Sequence, residues 1–155
     1  MSGETNLRKL IRNMRPELHP GEYVFCTINS GDVPAGLNPL GTFHEQEGLT
    51  VILPREQADQ GELSYSFVAG WITLNVHSAL EAVGLTAAVS QALTRAGISC
   101  NVVAAYYHDH IFVPTNDARL ALEVLERFTH SPDRVRGQTD YKEDMGSIGG
   151  RHGGK

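Results

Sequence analysis

Histidine and carboxylate side chains in the second half of the sequence carry the most evident chemistry. His108, Asp109 and His110 are consecutive, and two histidines two positions apart project from the same face of a strand. Imidazole and carboxylate groups can bind zinc or another divalent ion, which would suit a metal-dependent hydrolase. Aspartate also favours turns, however, and the spacing specifies no third or fourth ligand. We therefore predict that these three residues form the turn of a hairpin.

The two cysteines, Cys26 and Cys100, both lie in predicted strands and lack the CxxC spacing of a redox or metal motif. Buried, reduced thiols are the expected state of such residues. Cys100 could be paired with a histidine as nucleophile and base. The sequence places no third orienting group and no oxyanion donor beside it, so we do not predict a catalytic cysteine.

Polar residues also surround a predicted junction between a strand and a helix. Residues 71–76 are rich in β-branched and large apolar side chains, and the hydrophobic period changes from two to about 3.6 after them. Ser78 and Glu81 have the spacing of a capping box, and Gly97 can end the helix in a left-handed conformation. The sequence thus predicts a helix over residues 78–96.

The first turn of this helix is a candidate site for a small zwitterion. Its amide groups and the helix dipole can bind a carboxylate, while Gly84 lets a ligand approach the backbone. We expect the start of the next strand to lie beside it, giving one apolar crevice with convergent polar groups. The predicted lining residues are Ser78, Val83, Gly84, Leu85, Thr86, Ser99, Cys100 and Asn101. Glu45 is the predicted partner for an ammonium group, with Glu47 and Asp109 as alternatives.

The elements that would position these residues follow the order β-α-β-β-α in the second half. Two apolar runs flank the predicted turn, and Thr115 or Asn116 can cap a further helix. The apolar face predicted for that helix consists of Leu120, Val124, Leu125 and Phe128. These are five of the six elements of a ferredoxin-like split βαβ motif.

The first half predicts a divergent copy of the same unit. An amphipathic helix over residues 5–14 precedes a turn at Pro20 and Gly21 and a strand at 23–28. A loop, a hairpin over residues 43–53 and a short helix before Gly61 follow. A long extended stretch, expected to be interrupted at Gly70, then leads into the second half.

Specific motifs also resemble a known family. The stretch from VHSALEAVGLTA to GISCNVVAAYYHDHIFVP is similar to the second half of a small bacterial family of tandem ACT-domain proteins of unassigned function. PGEYVFCTINSG and FHEQEGLTVILP resemble its first half, so the likeness covers about residues 7–128. The resemblance extends to the regulatory ends of aspartate kinases and to eukaryotic arginine-sensor proteins.

This resemblance implies a fold and a function. ACT domains are ferredoxin-like modules that bind amino acids or other small effectors, often between two modules. Gly84 and Asn101 match the glycine of the family's first loop and the asparagine that opens its second strand. The resemblance also implies dimerisation, through sheet edges or helical faces.

Composition restricts the alternatives. The net charge of -5 over 155 residues argues against a nucleic-acid surface, which needs clustered lysine and arginine. No apolar run approaches the length of about 20 residues that spans a membrane, and no signal peptide is recognisable, so we expect a cytoplasmic protein without a membrane partner. No cofactor is predicted.

We therefore expect an α+β protein of two tandem ferredoxin-like, ACT-like βαββαβ modules packed as one body, with helices on one face of antiparallel sheets. The predicted modules are residues 1–66 and 67–130, followed by a flexible tail at 131–155. The predicted function is regulatory and non-enzymatic: the protein binds an amino-acid effector and forms a homodimer or higher homo-oligomer. The alternatives are the metal-dependent hydrolase and an interaction module without a ligand.

Overall fold

A computed structural model of the chain describes residues 6–77 and 82–131, so the tail predicted at 131–155 lies outside it except for its first residue. Four helices and seven strands occur in these ranges. In chain order they are α1 (Leu7–Asn13), β1 (Arg15–Leu18), β2 (Tyr23–Ile28), β3 (Gly41–His44), β4 (Leu49–Pro54), α2 (Arg55–Gln60), β5 (Val68–Asn75), α3 (Leu85–Arg95), β6 (Asn101–Ala104), β7 (Asp109–Pro114) and α4 (Ala118–His130). A 3-10 turn, Thr115–Asp117, leads into α4.

All seven strands form one antiparallel sheet. Six of them follow the order β3-β4-β2-β5-β7-β6, and β1 pairs with β5 outside this path. Strand β5 is paired with β7 along one edge, from Ala69 to Leu74. Its other edge is shared: the residues of β1 pair with the second half of β5, and β2 pairs with Val68 and Ala69. Strands β1 and β2 therefore lie end to end along β5.

Two ferredoxin-like modules share β5. In the second module, β5, β6 and β7 combine with β1 in the order β1-β5-β7-β6, so the N-terminal segment supplies the sixth element that the second half of the sequence lacks. In the first module, the order is β3-β4-β2-β5, and residues 29–40 form loop and turns where the first helix would stand. The predicted α+β ferredoxin-like architecture is confirmed. The predicted boundary at residues 66 and 67 stays a prediction.

The described helices pack on one face of the sheet. Under α1, α3 and α4 lies the larger core, which includes Ile72, Leu74 and Ile111 of the sheet. A smaller core under α2 contains Val24 and Leu53. The opposite face carries an aromatic cluster made of Tyr23, Phe25, Phe67, Trp71 and Phe112, together with Ile52 and Ala69. Period-two alternation along β5 places its side chains alternately in these layers.

The first helix confirms its prediction, whereas the strand after it was not predicted. Leu10, Ile11 and Met14 are fully buried, and the side chain of Asn6 caps α1 by accepting a hydrogen bond from the Lys9 amide. The sequence predicted that the helix ends before Pro16 and that a turn at Pro20 and Gly21 follows, with no strand between them. Proline is tolerated there because β1 is an edge strand, paired only with β5.

The predicted start of α3 is wrong. The helix begins at Leu85, because Gly84 adopts a left-handed conformation with φ of 101°. Ser78 and Glu81, the predicted capping box, lie outside the described residues. The spacing of apolar residues predicts a face made of Leu80, Val83, Ala87, Ala92, Leu93 and Ala96. Of these, Leu93 is buried, whereas Val83 is 84% exposed; the buried residues of α3 are Leu85, Ala88, Val89 and Leu93.

The end of α3 confirms the role predicted for Gly97, which has φ of 73°. Its amide donates to the Thr94 carbonyl at 2.9 Å, and the Ile98 amide donates to the Leu93 carbonyl at 3.0 Å. These two bonds satisfy carbonyls that the helix leaves without intrahelical donors. In α4 the prediction was partly wrong, since Leu120 is 45% exposed.

The hairpin between β6 and β7 turns earlier than predicted. The Ala105 amide donates to the His108 carbonyl at 3.1 Å, and β7 begins at Asp109. Asp109 and His110 therefore lie in a strand and not in the turn. Tyr106 and Tyr107 form the exposed tip, where the sequence pattern had predicted a continuing apolar strand.

Strand β5 runs through Gly70 without the predicted interruption, because Gly70 pairs in register with Val113. The reason for glycine is close packing: a Cβ atom built there would lie 2.6 Å from the Cβ of Ala118. The start of α4 can approach the sheet only because this position lacks a side chain.

Replacing Gly70 with alanine should therefore push α4 away from β5. We expect Gly70→Ala to lower the free energy of unfolding by about 1–3 kcal/mol, the usual cost of overpacking, measured by urea denaturation. Gly41→Ala is the matched control, because a Cβ there meets nothing within 4 Å. Equal losses for the two variants would contradict this explanation.

Candidate functional site

The start of α3 exposes backbone donors at the position expected for a ligand. The first intrahelical bond runs from the Ala88 amide to the Gly84 carbonyl at 2.9 Å, so the amides of Leu85, Thr86 and Ala87 have no acceptor within the helix. Glycine has no side chain with which to cap them. The Thr86 side chain is exposed, whereas Leu85 packs into the larger core and contributes only its backbone to this surface.

One side of this surface is formed by α1. A Cβ atom built on Gly84 would lie 3.1 Å from Cδ2 of Leu7. Glycine is thus required at position 84 both for its positive φ and for the approach of α1. Residues 76, 77 and 82–84 form the rest of the described connection from β5, and Ser78 lies outside the described residues.

The other predicted group lies at the opposite end of α3. Asn101 opens β6 opposite Phe112 and donates from Nδ2 to the Phe112 carbonyl at 3.2 Å. Ser99 is exposed and Cys100 is half-buried just before it. Because α3 has 11 residues, it separates its own first turn from this strand start by about 16 Å. The expectation that both groups line one crevice within a module is wrong.

Glu45 is also distant from both groups within one chain. It follows β3, where its carboxylate accepts a hydrogen bond from the Thr50 hydroxyl. It borders a surface depression of about 640 Å³ with Thr27, Thr50, Ser64 and Ser66 among its other lining residues. Strands β3 and β6 form the two edges of the main strand path, five strand spacings or about 24 Å apart along the sheet.

The histidines proposed for a metal site have other partners. His110 Nδ1 lies 3.1 Å from the indole nitrogen of Trp71, and His108 Nδ1 lies 3.4 Å from the Val76 carbonyl oxygen. Burial raises the pKa of Asp109, although the two neighbouring histidines oppose that shift. Within residues 6–77 and 82–131, no three His, Cys, Asp or Glu side chains are arranged to hold a metal ion.

Both thiols lie in surroundings that disfavour thiolate. Burial raises the pKa of Cys26, with a smaller contribution from the charge of Asp59. Burial also raises the pKa of Cys100, and a hydrogen bond with Ser90 opposes this only in part. A nucleophilic cysteine needs a lowered pKa, so these sites fit the predicted inert thiols.

A polar cluster on the helix-free face was missed by the sequence analysis. His19, Trp71, Thr73 and His110 come together there from the turn after β1, from β5 and from β7. The sequence did contain one signal for this cluster: Trp71 and Thr73 are two positions apart in a strand and therefore lie on the same face. The register then places Thr73 opposite His110. His19 carried no local signal, because its position depends on β1.

Comparison with known proteins agrees with this architecture. Profiles of the ACT domain match residues 2–70 and 66–127. A crystal structure of a Vibrio cholerae protein of unknown function, described as a possible transport protein, is 49% identical over 79% of this chain and 95% of its own, with a TM-score of 0.71. This chain belongs to the ACT-domain family.

More distant structures share the fold. An Agrobacterium tumefaciens protein is 19% identical, covering 74% of this chain and 87% of its own, with a TM-score of 0.57. The regulatory subunit of aspartate kinase from Thermus flavus is 11% identical, covering 72% and 95%, with a TM-score of 0.54. No match is found among curated proteins. Among the described helices, none is long and apolar enough to cross a membrane.

The pKa directions of the two thiols lead to a labelling prediction. At neutral pH we expect iodoacetamide to modify native Cys26 and Cys100 at least about tenfold more slowly than in the urea-unfolded chain, because burial suppresses both thiolate and access. Mass spectrometry of the single variants Cys26→Ser and Cys100→Ser would assign each rate. Fast labelling of native Cys100 would contradict this prediction and favour the alternative in which Cys100 acts as a nucleophile.

Proposed function

We propose that this ACT-domain protein is a non-enzymatic regulator that binds a small effector, an amino acid, at the first turn of α3. The observation that carries the proposal is the left-handed Gly84, which starts an 11-residue helix without a side-chain cap. The exposed Thr86 side chain lies in the same first turn as the amides that have no acceptor within the helix. The helix dipole favours a carboxylate at this position.

The length of α3 determines where the second part of this site comes from. Asn101 has a carboxamide that can bind either end of a zwitterion, but it lies beyond the far end of the same helix. A symmetric pair of chains brings the α3 start of one protomer beside the β6 start of its partner, and repeats the arrangement at the second site. Strand β6 forms one edge of the sheet, so its outer side is open to a partner.

The first module has no equivalent helix start among its described residues, which is why we place the site in the second module. Residues 29–40 form loop where a module's first helix would stand, so among the described elements only α3 follows the first strand of a module. One chain then supplies one helix start of this kind, and two chains supply two. The proposal therefore requires a homodimer, with Ser99 and Asn101 of one protomer completing the site of the other.

Binding between protomers also gives a regulatory mechanism. A ligand shifts an equilibrium only by the difference in its affinity for the two states. An effector that contacts both protomers binds the paired arrangement more tightly than a separated or displaced one. By reciprocity, whatever favours the paired arrangement raises the affinity for the effector.

A thermal-shift assay against the twenty amino acids tests this function. At a concentration of about 100 times Kd, a bound effector adds about 2.7 kcal/mol to stability and raises the melting temperature measurably. We expect Thr86→Glu to abolish the shift, because its carboxylate favours the helix start but repels that of the ligand. Thr86→Gln is the neutral control and should retain it. No shift with any amino acid, or a full shift in Thr86→Glu, would overturn the proposal.

Mixing two variants tests whether the site is shared between protomers. Thr86→Glu and Asn101→Ala should each fail to bind alone, whereas a refolded equal mixture should recover roughly a quarter of the sites, one in each heterodimer. Asn38→Ala is a matched control, since only the Asn38 backbone amide is hydrogen-bonded, to Gln57. A mixture that binds nothing would overturn the shared site.

A further inference from the structure

The polar cluster on the helix-free face lies where the two modules meet. His19 follows β1 in the turn that leads into β2, and its amide donates to the Trp71 carbonyl at 2.9 Å. Its ring stacks on Trp71 with a centroid distance of 3.6 Å and an interplanar angle of 17°. The ring and the backbone amide of His19 therefore hold the turn between β1 and β2 against β5.

A chain of hydrogen bonds connects the two histidines through one hydroxyl. His19 Nε2 lies 2.7 Å from Thr73 Oγ1, which lies 3.0 Å from His110 Nδ1. The indole nitrogen of Trp71 donates to the same His110 Nδ1 at 3.1 Å. Thr73 is only 5% exposed, so these bonds are protected from water.

The donor and acceptor inventory fixes the protonation of His110. An indole N–H can only donate, so His110 Nδ1 must be an unprotonated acceptor and the ring is neutral, with its proton on Nε2. Protonation of His110 would put a second donor opposite the indole N–H and break that bond. In the matching tautomer His19 Nε2 donates to Thr73 Oγ1, and the Thr73 hydroxyl shares the single lone pair of His110 Nδ1 with the indole N–H in a three-centre bond.

We propose that His19, Thr73, His110 and Trp71 form a proton-operated latch across the seam between the modules. A proton on His110 Nδ1 breaks the Trp71–His110 bond and frees the indole on which the ring of His19, in the turn between β1 and β2, is stacked.

The other charged groups around the latch come from three elements. From β1, Glu17 pairs with Thr73 in register and accepts from the Asn75 amide side chain at 2.9 Å, and Arg15 pairs with Asn75. From β7 and the turn before it come Asp109 and His108. From β2, Tyr23 contacts Trp71 edge to face at a centroid distance of 5.3 Å.

These surroundings favour neutral His110 over the charged form. Burial lowers its pKa, His108 and His19 add to this shift, and Asp109 opposes it. A histidine whose folded-state pKa is lowered stabilises the fold fully above its ordinary value, and this contribution is lost as the pH falls through the folded value. Asp109, whose pKa is raised, acts oppositely at lower pH, because protonation favours its buried form. The latch should therefore open on mild acidification.

The tryptophan of the latch is the only one in the chain, so its signals report on the latch directly. We would follow the indole N–H resonance, its exchange with solvent, and tryptophan fluorescence in the full chain from about pH 8 to about pH 5. As His110 takes up a proton, exchange of the indole N–H should accelerate by about tenfold or more, the equivalent of one lost hydrogen bond.

Two variants separate the latch from general acid sensitivity. His110→Gln can still accept from Trp71 but cannot be protonated, so its indole exchange should stay constant over the same range. His108→Gln is the matched control and should keep the transition. An indole signal that does not change with pH, or a transition that persists in His110→Gln, would overturn the latch. The first outcome is read from the wild type, even if a variant fails to fold.

Discussion

The pairing of β5 along both of its edges is the constraint on which the rest of the structure depends. Its eight residues form the first strand of the second module and the last strand of the first. One edge is filled by β7, and the other must accommodate β1 and β2 in succession. A slip of one residue would exchange the faces of its side chains, so that Ile72 and Leu74 would leave the core under the helices.

The same constraint distributes the chemistry over two faces. On the helix face, α3 separates its own amide donors from the start of β6, and a zwitterion that contacts both must lie between two copies of the chain. On the helix-free face, Trp71 and Thr73 point away from that core and meet His110 across the β5–β7 pair. The proposed effector site and the proposed latch are therefore linked by one strand, whose C-terminal end leads toward α3. The test of the latch needs no ligand, so its failure would not count against the proposed effector site.

Local patterns predicted most elements, because their signals need no distant partner. The apolar spacing in α1, the β3–β4 hairpin, the short helix α2 and the glycine that ends α3 all agree with the structure. The errors arose where a residue serves more than one purpose. Gly84 ends a connection and does not lie within a helix, Gly70 makes room for Ala118 without interrupting a strand, and His110 belongs to β7.

The sequence by itself determined the α+β class, the two related halves and the candidate residues at the start of α3, because periodicity and capping signals are local. Only the tertiary structure decided that Arg15–Leu18 forms a strand, that Asn101 lies a helix length from Gly84, and that His19 stacks on Trp71. The first and the last depend on contact between segments more than fifty residues apart, which composition and spacing cannot specify. A four-residue edge strand gains its stability from the partner strand and not from its own side chains.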